Sequence, residues 1–161
     1  MITWLRRLWN SIMFPTSMDP ECLDVLRFQR KLGLDAPDGP IHLTTAKLIE
    51  RLNFMREELN ELEDAVDTQN LADQADALID LVYFAKGTAV QLGLPWEELW
   101  ADVHRANMAK RPAATARSPH DAIKPPGWHG PRTLAILEAY GYDRTRFTDQ
   151  FGLIDERKLT C

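Results

Sequence analysis

Six of the eight carboxylates in two short runs invite a chemical reading: Glu57, Glu58 and Glu61 in "REELNELEDAV", then Asp73, Asp76 and Asp80 in "LADQADALIDLVYF". Carboxylates three or four positions apart stand side by side on a helix and repel, at roughly 0.2–0.5 kcal/mol per pair. Either water solvates them as an acidic face, or a cation lies between them. With about 100° per residue, Glu58 and Glu61 fall within roughly 60° of each other while Glu57 turns further towards solvent; Asp73, Asp76 and Asp80 share a similar arc on a second helix. Leu81, Tyr83 and Phe84 are interleaved with those aspartates, so the second helix is apolar nearly all round and its acids are expected among other helices. Carboxylates in such a place are costly unless paired or bound to a cation. Hard oxygen ligands from Glu58, Glu61, Asp76 and Asp80, with Asp73 in reserve, suit Mg²⁺ or Mn²⁺. Magnesium held by carboxylates commonly shares its coordination with substrate phosphates, which points to a nucleotide or another polyphosphate. A di-iron bundle would carry Glu-x-x-His pairs; none is present, and Ala101 stands three residues before His104.

Helices must position these groups, and the periodicity predicts helices almost throughout. Asp19 caps and Pro20 opens a first helix in "DPECLDVLRFQRKLGL". After the loop "DAPDGPIHL", Thr44 or Thr45 opens a long helix to about Val66, with Leu48, Leu52, Met55, Leu59, Leu62 and Val66 as an apolar stripe expected in the core. The next helix, from about Leu71 to Leu92, repeats the pattern with Leu71, Ala75, Leu78, Val82, Ala85, Ala89 and Leu92. The short "DTQN" link between them predicts antiparallel packing. Gly93 reads as a C-cap, and "LPWEELWADVHRANMAK" makes a further helix ending before Pro112. The proline-rich "RPAATARSPHDAIKPPGWHGP" lacks periodicity and reads as a loop, with a short helix "RTLAILEAYG" behind it. No strand pattern competes. The expected fold is an all-α, antiparallel bundle of about four to five helices with a proline-rich C-terminal loop. Its expected divisions are an arm over 1–17, a domain over 18–140 that includes the 111–131 loop, and a tail over 141–161.

Composition narrows the function. A chain of 161 residues, 45% hydrophobic, is long enough for one core without disulfides or structural metal. A net charge of -5 with both signs interspersed argues against non-specific nucleic-acid binding. Cys22 and Cys161 sit near opposite ends in no metal or redox spacing, which reads as a reducing, cytoplasmic setting with neither thiol catalytic. His42, His104, His120 and His129 likewise form no ligand spacing. In "MITWLRRLWNSIMF", Arg6 and Arg7 interrupt the apolar run, so neither a signal peptide nor a membrane span is expected; the arm reads as a helix packing on another subunit. Trp96 and Trp100 share a helical face and read as core or subunit interface.

Taken together, "EELNE", "DQADALIDLVYFAKGTAVQLGLP" and "VHRANMAK…IKPPGW" resemble the all-α nucleoside triphosphate pyrophosphatases, the MazG-like group that includes phosphoribosyl-ATP pyrophosphohydrolase and the dimeric dUTPases. The likeness covers about residues 20 to 130 and is nearest to phage-encoded (d)GTP diphosphohydrolases. It implies an ExxE pair and an ExxD pair on neighbouring helices binding one to three Mg²⁺ ions. Glu58 and Glu61 match the first pair; Asp73 and Asp76 keep the second spacing with Asp for Glu, whereas Asp80 matches the family's final aspartate by the "LVYF" that comes directly after it. The resemblance further implies water attack on the α-phosphorus, releasing nucleoside monophosphate and pyrophosphate, with Glu57 or Glu58 orienting or deprotonating the water. Asn107 and Lys110 would face the ligand, Lys124 would close over the polyphosphate, and Trp128 would pack on the base or anchor its loop. Family members form dimers or dimers of dimers, so a homo-oligomer acting on a nucleoside triphosphate, cytoplasmic and free of nucleic acid and membrane, is implied. A dUTP, dCTP or house-cleaning specificity, a nucleotide sensor without turnover and a non-catalytic helical module are the alternatives.

Overall fold

The computed structural model describes residues 18–112 and 122–144. The expectations for the arm, for His120, for Cys161 and for the tail beyond residue 144 fall outside the described residues. The fold is an all-α bundle: α1 (Pro20–Lys31), α2 (Thr45–Asp67), α3 (Leu71–Gln91), α4 (Trp96–Met108) and α5 (Thr133–Ala139). The expectation of no strand needs one correction, because a minimal two-stranded sheet pairs β1 (Arg111–Pro112) with β2 (Ala122–Ile123). Each segment is only two residues long, too short for any alternation to announce it. Among the described residues, no single helix is long and apolar enough to cross a membrane.

Local chemistry sets the helix ends. The Asp19 carboxylate accepts from the N–H groups of Glu21 and Cys22, with Pro20 at the first helical position, where its missing donor costs nothing. The Thr44 hydroxyl accepts from the N–H of Lys47, and the Asn70 side chain from those of Ala72 and Asp73. After α3 the chain reverses at Gly93, whose φ of +66 and whose approach to the Gly39 carbonyl leave no room for a Cβ. The path from α3 into α4 bends by 119°.

Helices α2 and α3 lie antiparallel, and the ladder between them is partly polar. Arg51 donates from Nε to the Thr88 hydroxyl at 3.0 Å and from Nη2 to the Phe84 carbonyl at 2.9 Å. Its guanidinium carbon lies 5.5 Å from the Phe54 ring centroid and 5.2 Å from that of Phe84, and the two rings stack at 5.1 Å. Nearer the turn, Gln74 Nε2 donates to the Ala65 carbonyl at 3.1 Å. Helix α1 covers the far end of α3: Cys22, Leu26 and Val90 form a buried cluster with Ala36 and Trp96 against it. Gly87 admits α1 closely, since a Cβ there would lie 2.8 Å from Gln29 Nε2 and 2.9 Å from Arg51 Nη2. Lys86, 6% exposed, is ion-paired to Asp19 at 2.7 Å and to Glu21, with its ammonium over the Trp96 ring.

The apolar stripes expected as core are mostly not buried by this chain. Leu52, Leu59 and Val66 of α2, and Leu71, Ala75, Leu78 and Val82 of α3, are exposed; Leu48, Met55, Leu62, Ala85 and Leu92 are half-buried, and of the two stripes only Ala89 is buried. The reason is phase. The helices meet through Arg51, Phe54, Glu58 and Ala65 on one side and Gln74, Phe84 and Thr88 on the other, which turns both stripes outward.

Candidate active site

Glu58 is the centre of the acidic site. It lies on the buried face of α2 at 9% exposure, and its Oε2 has no hydrogen-bond partner. Burial raises its pKa above the ordinary carboxyl value, and the charges of Glu61, Asp80, Glu57 and Asp76 push the same way. The fold therefore brings carboxylates of α2 and α3 into one electrostatic field. Glu57, Glu61, Asp73, Asp76 and Asp80 are exposed around it, so the α3 acids expected among other helices face solvent instead, because among the described residues no other helix covers that side. Glu61, Asp73 and Asp76 line a pocket of about 400 Å³ together with Asp64, Ala65 and Thr68. Asp73 also serves the start of α3, its carboxylate accepting from the Asn70 side-chain amide and its N–H donating to Asn70 Oδ1. Asp64 is an addition to the acids expected from sequence, although it repeats the three-residue spacing after Glu61.

Among the described residues, no three His, Cys, Asp or Glu side chains converge closely enough to hold a metal ion. The donor set nonetheless fits a hard divalent cation by its chemistry. It is all oxygen, it is repulsive without a counter-charge, and it includes a buried carboxylate oxygen with no partner.

A second group assembles at the end of α4. The helix stops at Met108 with Ala109 as its C-cap, so Lys110 stands just beyond the helix rather than on it, its N–H donating to the Asn107 carbonyl at 3.0 Å. The strand register pairs Arg111 with Ile123 and Pro112 with Ala122. One step further along that register Lys110 falls opposite Lys124. Their ammonium groups lie 5.9 Å and 4.7 Å from the centroid of one ring, that of Trp128. The indole N–H of Trp128 donates to the Ala106 carbonyl at 2.7 Å, so Trp128 anchors its loop to α4. Neither lysine is ion-paired among the described residues, and like charges facing across a ladder are unfavourable. An oligophosphate bridging both would offset that cost. Asn107 is exposed on the last turn of α4. No hydrogen bond or ion pair joins this cluster to the acidic hairpin among the described residues.

The remaining candidates have ordinary occupations. His42 shares a hydrogen bond with the Tyr142 hydroxyl at 2.8 Å, while His104 and His129 are exposed. Trp96 and Trp100 stack at 6.2 Å. Burial pushes the Cys22 thiol up to about 11, which keeps it protonated and inert at neutral pH.

The class of protein is set by a family-model match, which places the all-α bundle in the MazG-like nucleoside triphosphate pyrophosphatase superfamily. The model of one family within it, phosphoribosyl-ATP pyrophosphohydrolase, matches residues 25–107, more than half of the 161-residue chain, and the chain belongs to that family of nucleotide pyrophosphohydrolases. The matched region contains both acid runs and Asn107 but stops short of Lys110, Lys124 and Trp128. Comparison with curated proteins returns no match.

Proposed function

We propose that the chain is a divalent-metal-dependent pyrophosphohydrolase that converts a nucleoside triphosphate to the monophosphate and pyrophosphate by water attack on the α-phosphorus. The observation that carries this reading is the buried Glu58 carboxylate, with one oxygen lacking a partner and four other acids bearing on it. Glu58, Glu61, Asp76 and Asp80, with Asp73 where Asn70 leaves it free, would hold one to three Mg²⁺ or Mn²⁺ ions, which supply charge neutralisation for the phosphates and a more acidic water. Glu57 or Glu58 orients that water or takes its proton. Lys110 and Lys124 meet the outer phosphates as point charges, held apart by the Trp128 face.

For the base we propose guanine, dGTP first and GTP close behind, on the likeness to phage (d)GTP diphosphohydrolases. A second copy of the chain is part of the same reading. Leu52, Leu59 and Val66 on α2, with Leu71, Leu78, Ile79 and Val82 on α3, recur at helical spacing on two adjacent helices and stay exposed in one chain. Such a run of apolar surface is larger than scattered single residues and suits a homo-oligomeric contact.

One assay tests the function. The protein is incubated with each common ribo- and deoxynucleoside triphosphate and Mg²⁺, and products are separated by chromatography. Monophosphate with pyrophosphate and no diphosphate is the expected result. Binding without products would make the chain a sensor, neither would make it a helical interaction module, and fastest initial rates on dUTP or dCTP would overturn guanine alone.

A further inference from the structure

We infer that Asp102 is a positioning residue: it holds the 122–132 segment, and with it Lys124 and Trp128, against the last turns of α4. The inference rests on reading Lys110 and Lys124 as the phosphate clamp, and it concerns a residue that touches neither substrate nor cation.

Asp102 lies on α4 at 6% exposure. It accepts a hydrogen bond from Arg105 Nε at 2.8 Å, one turn along its own helix. From the other side it accepts from the backbone N–H of Arg132 and from Arg132 Nη2 at 3.3 Å. Arg105 then reaches across with Nη2 to the Gly130 carbonyl at 3.2 Å, and the Trp128 indole reaches back to Ala106. These four ties from residues 128, 130 and 132 all end within the 102–106 stretch of α4. A buried carboxylate facing two guanidinium groups is charged at any working pH: the Arg105 hydrogen bond, and after it that of the Arg132 N–H, hold its pKa near 2.

The segment between this knot and Lys124 is short and stiff. Residues 124–128 read Lys-Pro-Pro-Gly-Trp. Each proline fixes its φ, and the Trp128 N–H closes a turn onto the Pro125 carbonyl at 3.0 Å. A displacement at Arg132 and Trp128 is therefore passed on to Lys124 rather than absorbed. Beyond this turn, Lys124 is held by the two-residue β2 strand beside it and by the Trp128 ring 4.7 Å from its ammonium group.

The test uses the full chain in magnesium-free buffer, so that the acidic hairpin takes no part. Asp102→Ala, Lys124→Ala and the double variant are compared for affinity towards inorganic triphosphate by calorimetry. Exchange of the Trp128 indole proton is followed by nitrogen-15 NMR, its peak assigned with Trp128→Phe. The expected result is an indole exchange rate up by about tenfold or more in Asp102→Ala and a loss of triphosphate affinity matching that of Lys124→Ala, about tenfold, with the double variant no weaker than either single one. Wild-type exchange and affinity in Asp102→Ala, or losses that add in the double variant, would overturn it. Should Asp102→Ala fail to fold, Asp102→Asn, which keeps an acceptor for the Arg132 N–H but loses the charge, carries the same comparison. If Lys124→Ala binds triphosphate as the wild type does, the phosphate clamp is refuted, while indole exchange still decides whether Asp102 holds the segment.

Discussion

The two halves of α3 use one helical repeat for opposite ends. From Lys86 to Gln91 the helix is buried at Lys86, Gly87, Ala89, Val90 and Gln91, and its charge is matched by Asp19 and Glu21 of the α1 region. From Leu71 to Ala85 only Ala77 is buried, Leu71 is 76% exposed, and three aspartates carry no matching cation among the described residues. The anchored half supplies stability, and the presenting half is free to hold groups that repel one another. A rigid helix lets the first support the second, because the Arg51 and Gly87 contacts fix the rotation that brings Asp76 and Asp80 within electrostatic reach of Glu58.

The sharpest test of this division is Glu58→Gln. Turnover is expected to fall about a thousandfold, about 4 kcal/mol of transition-state stabilisation, because the substitution removes a charged oxygen from the proposed metal clamp. Metal-free thermal stability should hold or rise, since burial and neighbouring acids disfavour the ionised Glu58. Pyrophosphate release within tenfold of wild type would mean that the presenting half is not the reactive one. Asp76→Asn and Asp80→Asn, measured side by side, rank the two aspartates.

The anchored half is broken by Asp19→Ala, which removes both a cap and a partner of the buried Lys86. Urea titration should show a loss of about 3–5 kcal/mol, towards the lower end because Glu21 remains. Asp76→Asn should cost less than about 0.5 kcal/mol in the same experiment. Equal losses would erase the distinction between the halves. Leu78→Arg, on the presenting half, is expected to change the stability of one chain by no more than about 0.5 kcal/mol while reducing the mass seen by light scattering to that of a monomer.

The smallest effect is on pH dependence. Asp19 and Asp102 both have pKa values lowered from 3.8, Asp102 to about 2. Depressed carboxyls stabilise the fold above their unfolded value and lose that contribution as pH falls through the folded one. Stability should therefore decline between about pH 4 and about pH 2, and Asp102→Asn should flatten the lower part of that curve in acid-titrated thermal melts.

Helix limits are legible in the sequence because their causes are local: Asp19 with Pro20, Thr44 and Gly93 each act on the few residues beside them. Helix pitch separates Glu58 from Glu57, but it also places Glu61 on the same arc as Glu58, and Glu61 is exposed while Glu58 is buried. Phase between helices is not legible. An apolar stripe shows which residues avoid water, but not whether this chain or another covers them, so Leu52, Leu59 and Leu78 read as core when they are exposed. No motif or periodicity singles out Arg51, which is buried beside the stacked pair Phe54 and Phe84. The meeting of Lys110 with Lys124, and of Asp102 with Arg132, depends on pairing across intervening chain that no periodicity records.

The α2–α3 turn has a kinetic consequence. The Gln74–Ala65 contact beside it closes only nine residues of chain, whereas Arg51–Thr88 closes 37. Short loops close with the least entropy, so the hairpin is expected to zip from the Asn70 end outward. In that order the acids around Glu58 come together before Arg51 finds its aromatic seat. Their repulsion falls on the barrier to folding, and a divalent cation present during refolding should steepen the rise to the native state more than it slows the return.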